Sequence, residues 1–166
     1  MYLVAAVGDV RVALVHGDLE SLAGWSLSQE TLASEENKNI VLNQILTSQC
    51  AIVASSHTCL PIALMLDTDQ GPRAVFNNGA AGMPNFAGTH YGVITRVSTQ
   101  PCQAHPTLYG TRIANSHVDA VAVNYDKLGW HDEFLRQWPT GSAAYQSYYH
   151  RISAGPNYPL AQAARL

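Results

Sequence analysis

Val12-Ala13-Leu14-Val15-His16-Gly17 (VALVHG) is an apolar run that stops abruptly at a histidine and a glycine. With Val10 it forms a near-continuous apolar stretch of strand length, the pattern of a strand buried on both faces of a layered α/β fold. A second such run, Cys50 to Ala54, ends in Ser55-Ser56-His57-Thr58-Cys59. Between them, Ser34 followed by Glu35 and Glu36 is a helix start, an N-cap hydroxyl with acids in the first turn. Val41, Leu42, Ile45 and Leu46 recur at helical spacing, which predicts a helix from about Glu35 to Thr47. Strand, helix and strand in this order predict a βαβ-like unit that carries His16 and His57 to one edge of a sheet. Polar residues just past the carboxyl ends of buried strands are where α/β sheets place ligands.

Outward from this unit, Tyr2–Val7 and Val10–Val15 predict a hairpin turned at Gly8-Asp9. A second hairpin is predicted from Ile62–Leu66 and Arg73–Asn77, followed by a glycine-rich segment to Gly88 and a strand over Tyr91–Val97. Leu108–Ile113 and Val118–Val123 predict a third. From Asp126 the period changes: Leu128, Trp130, Phe134, Leu135 and Trp138 suit a helix stopped by Pro139. Tyr145, Tyr148, Tyr149 and Ile152 suit another, opened near Ser142 and ended at Gly155-Pro156.

A chain of 166 residues has the size of one domain. Its 47% hydrophobic content excludes disorder, and its 13% charged residues are about half the usual share of ~25%. Few charges predict a surface covered by something other than water, either an oligomer partner or a missing amino-terminal half. Nine Lys and Arg against twelve Asp and Glu give a net charge of −3 without a basic cluster, which excludes a nucleic-acid polymer as partner. Three widely spaced cysteines, Cys50, Cys59 and Cys102, indicate no disulfide framework and fit a reducing, cytoplasmic setting. Met1–Val7 lacks a basic flank and is interrupted by Gly8, Asp9 and Arg11, so neither a signal peptide nor a membrane span is expected.

Three segments together resemble the carboxyl-terminal half of the calcineurin-like metallophosphoesterases. VALVHG is similar to the family's isolated metal-binding histidine at a strand end. Ser56-His57-Thr58-Cys59-Leu60-Pro61 is similar to its Gly-His-Thr-His-x-Pro, and Asn77-Asn78-Gly79-Ala80-Ala81-Gly82-Met83-Pro84 to its Asn-Pro-Gly-Ser-x-Gly-x-Pro loop. The resemblance covers residues 1–97 and implies an α/β fold, the carboxyl-terminal half of a metallophosphoesterase β-sandwich flanked by helices. Residues 98–166 would add a β-hairpin and helical extension packed on the same domain.

The implied activity is hydrolysis of a small-molecule phosphoester at a dinuclear site of divalent ions, Mn, Fe or Zn, two in a complete site. His16 and His57 would bind one ion. Cys59 stands where the family has a histidine ligand of the other, a softer donor suited to zinc or iron. Asp18 would orient His16, and the backbone at Asn78 and Gly79 would offer N–H groups to phosphate. The family's amino-terminal motifs, which supply the bridging aspartate, an asparagine ligand and the histidine that protonates the leaving group, have no counterpart here. The chain therefore reads as an incomplete phosphoesterase with no catalytic acid of its own. The alternative is a non-catalytic remnant that binds a metal or a partner.

Each residue also has a plainer reading. A strand-end histidine is commonly a hydrogen-bonded structural group, and a buried cysteine a small apolar one. Asp18 next to Gly17 suits an Asx-turn. The two glycines of the Asn77–Pro84 loop suit a tight connection that needs positive φ. His90, His105, His117, His131 and His150 have no ligand spacing among themselves, and the aromatic residues after 126 suit helix packing. A Cys59–His57 nucleophile pair, the basis of a thiol hydrolase, lacks an orienting third group.

Overall fold

Gly8 and Asp9 form the two-residue loop of the first hairpin, with Val7 opposite Val10 and Gly8 at φ +56°, a conformation glycine adopts freely. In the computed structural model, which describes residues 2–80, 82–103 and 107–166, this hairpin joins β1 (Leu3–Val7) to β2 (Val10–Leu14). The Ser34 hydroxyl caps α1 (Glu35–Ser48) by accepting from Asn37 N. β3 (Ile52–Ser55) then runs parallel to β2, and the expected βαβ unit is present. β4 (Ile62–Leu66) and β5 (Arg73–Asn77) pair antiparallel, and β5 lies parallel to β3. The six-stranded sheet is completed by the short terminal strand β9 (Ala164–Arg165) in the order β1-β2-β3-β5-β4-β9.

A three-stranded sheet follows, β6 (Gly92–Ser98), β7 (Thr107–Ile113) and β8 (Ser116–Val123), in the order β6-β8-β7. Arg96 and Asp119 are opposite residues on β6 and β8 and form an ion pair at 3.0 Å. Three further helices, α2 (Lys127–Gln137), α3 (Ala143–Ala154) and α4 (Leu160–Ala163), close the chain. Asp126 and Ser142 cap α2 and α3 through their side-chain oxygens.

The period-2 alternation along β2 explains the layering. Val12 points into a core shared by the two sheets, with Ile52, Phe76, Val93, Val118 and Ala120. Ala13 points into a second core, where Val53, Ile62 and Val75 meet Val41 and Ile45 of α1. The expectation of a strand buried on both faces holds at Val12 and Ala13 and fails at Leu14, which is 41% exposed beside the uncovered strand β1. The segment after residue 97 is integral to the first core, supplying Tyr109, Ile113, Val118 and Tyr158. No helix among the described residues is long and apolar enough to cross a membrane.

Candidate metal centre

β2, β3 and β5 are parallel neighbours, so all three deliver their carboxyl ends to one edge of the large sheet. His16 leaves that edge two residues after β2, and His57 two residues after β3. The loops are stitched at their base, where Val15 N donates to Ala54 O (3.0 Å) and Ser56 N to His16 O (3.1 Å). The imidazoles meet: His57 Nδ1 lies 3.1 Å from His16 Nε2, with ring centroids 4.9 Å apart.

Backbone strain aims the second histidine. His57 has φ +70° and Cys59 φ +67°, and each is the centre of an i→i+2 turn, Thr58 N donating to Ser56 O and Leu60 N to Thr58 O, both at 2.8 Å. Two such γ-turns in succession, on residues with a Cβ, are rare and costly. The second turn separates the two expected ligands. The Cys59 thiol faces the His57 carbonyl at 3.6 Å, and the Cys59 carbonyl accepts from Arg151 Nη2 of α3 at 2.6 Å. Burial draws the Arg151 guanidinium below its ordinary value, with Cys59 opposing.

The chain's fit to metal follows from these donors. Two imidazole nitrogens 3.1 Å apart can both reach one ion at the ~2.0–2.1 Å of a metal–imidazole bond. Among the described residues, no group of three or more His, Cys, Asp or Glu is placed to hold a metal ion. A single ion with two protein ligands fits, whereas the dinuclear site implied by the resemblance does not.

The Asp18 carboxylate is engaged by its own loop. It accepts from Glu20 N, Ser21 N, Ser26 N and the Ser26 hydroxyl, which is Asx-turn geometry; none of these bonds runs to His16. Burial raises its pKa, but the hydrogen bonds from Ser21, Glu20 and Ser26 outweigh it, and the net shift is downward. The phosphate-cradling expectation at Asn78 and Gly79 needs correction. Asn78 N donates to Ser55 O and Gly79 N to Asn77 Oδ1, so neither N–H is open to a ligand. Gly79 instead meets a steric demand: at φ +70°, an added Cβ would lie 2.6 Å from Asn85 Oδ1.

Sequence reasoning missed three residues around the site. Asn77, 2% exposed, donates to Leu27 O (2.9 Å) and Thr58 Oγ1 (2.6 Å) and accepts from Gly79 N (2.9 Å), tying together the loops after β2, β3 and β5. Its place at the end of a buried strand was the available signal. Arg151 reaches the site loop across 92 positions, which no local pattern reveals. Trp25 is 53% exposed and sits edge-on to His57, ring centroids 5.6 Å apart.

The other histidines lie elsewhere. Lys127 Nζ donates to His90 Nε2 at 2.7 Å, and burial together with the Lys127 charge holds His90 below the usual imidazole value. His131 Nε2 is 3.2 Å from the Tyr149 hydroxyl, and His105 lies outside the described residues. A cleft of about 630 Å³ lined by Ile94, Val123, Tyr125 and Trp130 is apolar and holds neither His16 nor His57.

No protein-family model matches the chain, and no curated protein matches it. Among solved structures, its fold is similar to that of a metallophosphoesterase from Sphaerobacter thermophilus, with a TM-score of 0.52 and 16% sequence identity. The match covers 92% of this chain, which spans 59% of that protein's length. The architecture is thus a mixed α/β, metallophosphoesterase-like fold.

Proposed function

We propose that this chain is the carboxyl-terminal part of a metal-dependent phosphoesterase, with His16 and His57 holding one divalent ion. The observation that carries this reading is the convergence of two imidazole nitrogens, 3.1 Å apart, at the ligand-bearing edge of a metallophosphoesterase-like fold. A divalent ion bound there would supply Lewis-acid polarisation of a phosphoryl oxygen and a more acidic water. The chain's own residues do the rest. His16 and His57 present imidazole nitrogens, the tandem γ-turns set the angle of the second ring, and Asn77 holds the loops against each other. With two protein ligands, affinity is weak and the remaining donors come from a partner chain or from protein outside this sequence. Cys59, its thiol turned toward the His57 carbonyl at 3.6 Å, stands outside this one-ion site.

Hydrolysis of 4-nitrophenyl phosphate and bis(4-nitrophenyl) phosphate, with Mn²⁺, Fe²⁺ or Zn²⁺ added, tests the proposal. Slow hydrolysis that stops with chelator and is lost in the double variant His16→Ala, His57→Ala is the expected result. A second reading, a metal-binding chain that does not turn over, is favoured by the absence of a third donor among the described residues. Retained metal with hydrolysis no faster than the free ion selects it. Hydrolysis that survives chelation but not alkylation of Cys59 would instead place the chemistry on the thiol.

A further inference from the structure

Trp25 stands beside the candidate centre and outside both hydrophobic cores. The residue is 53% exposed, and its ring meets that of His57 at 5.6 Å and an interplanar angle of 67°. A large apolar ring on a slack loop would be unremarked surface. This loop is built to hold it. The Asp18 carboxylate clamps Glu20, Ser21 and Ser26, and Trp25 O accepts from Ser28 N at 3.0 Å. Gly24, directly before Trp25, packs so tightly on Asp18 that a Cβ would fall 1.8 Å from its Oδ2, and a Cβ on Gly17 would fall 2.5 Å from Gly24 N. Both residues flanking Trp25 are thus fixed, and the ring is held out beside His57.

We infer that Trp25 is a stacking platform for a flat aromatic group carried by the phosphoester, so that the substrate class is an aryl phosphate or a nucleotide rather than an aliphatic ester. This inference rests on the phosphoester reading. Every aromatic or nucleobase ring offers a π-face, and an exposed indole beside the two histidines would hold the ring of a substrate whose phosphate lies at an ion bound by them. Stacking of a base on a protein aromatic is worth about ten-fold or more in affinity.

Titration calorimetry with AMP and ribose 5-phosphate, in the presence of Mn²⁺, separates the two contributions, because the probes differ only in the base. Wild type is expected to bind AMP about ten-fold tighter than ribose 5-phosphate. That preference disappears in Trp25→Ala and returns in Trp25→Phe, while ribose 5-phosphate binds all three alike. Circular dichroism confirms that the exposed substitution leaves the fold intact. Equal binding of both probes by wild type, or a preference that survives Trp25→Ala, overturns the platform and leaves the phosphoester reading standing. Binding of neither probe overturns both.

Discussion

β3 and β5 end side by side, yet the loops that leave them are built on opposite plans. After β3, the chain enters two strained γ-turns, and His57 emerges half-buried beside His16 and Trp25. After β5, the chain closes on itself: Asn77 accepts from Gly79 N, and Asn85 both donates to and accepts from the Ala80 backbone. Both loops resemble motifs of the same family, and the sequence favours a ligand role for His57 over a phosphate-binding role for the Asn77–Pro84 loop. The structure separates them by where their polar groups go. A loop whose hydrogen bonds are satisfied internally is a structural clasp. The other loop tolerates positive φ on two residues with side chains and brings one imidazole against another, a local strain of the kind that clusters at functional sites.

The largest effect expected from this contrast is at Asn77. Asn77→Ala leaves Leu27 O, Thr58 Oγ1 and Gly79 N without their partner in a buried setting, and a loss of roughly 3–5 kcal/mol in urea unfolding is expected. A loss below 1 kcal/mol would mean that water replaces these bonds and that the loop is not a clasp.

Asp18 gives the next largest effect, because it is the clamp of the site-side loop. Asp18→Asn removes a charged acceptor of four hydrogen bonds and is expected to cost about 2 kcal/mol at neutral pH. The sign with pH follows from its lowered pKa. Its stabilisation is complete above the unfolded value of 3.8 and is lost as pH falls through the folded value below that. Wild type should therefore lose stability relative to Asp18→Asn as pH drops below about 4, and unfolding midpoints that stay parallel across that range would show that the clamp is not ionic.

The smallest effect has the opposite sign. Positive φ costs a residue with a Cβ about 1–2 kcal/mol, and glycine's greater freedom in the unfolded chain takes back ~0.5–1. His57→Gly should therefore raise stability by about 0.5–1 kcal/mol while lowering metal binding. Destabilisation by that variant would show that the γ-turn is relaxed and that His57 is held there by packing.

These loops also show what the sequence made legible. The apolar runs ending at His16 and His57, with a capped helix between them, sufficed to predict parallel strands and a shared edge, because the βαβ connection leaves few alternatives. The hairpins and the helices after Asp126 followed from period and caps. What was not legible depends on tertiary hydrogen bonds. Trp25 reaches His57 because Asp18 grips Ser26 eight residues on, Cys59 turns away through a γ-turn its residue type does not advertise, and Arg151 arrives from α3. The backbone N–H groups of Asn78 and Gly79 looked available only because the competing acceptors, Ser55 O and Asn77 Oδ1, are set by the fold. The two-residue strand β9 was too short to carry a pattern.

The central claim is that His16 and His57 act as a pair on one ion. Mn²⁺ and Zn²⁺ titrations by calorimetry, carried to saturation, test it directly in wild type and in the His16→Ala, His57→Ala variant. Close to one ion per chain in wild type, lost in the double variant with the fold intact by circular dichroism, is the result this account predicts. No bound ion in the folded wild type, or undiminished metal in the double variant, would contradict it.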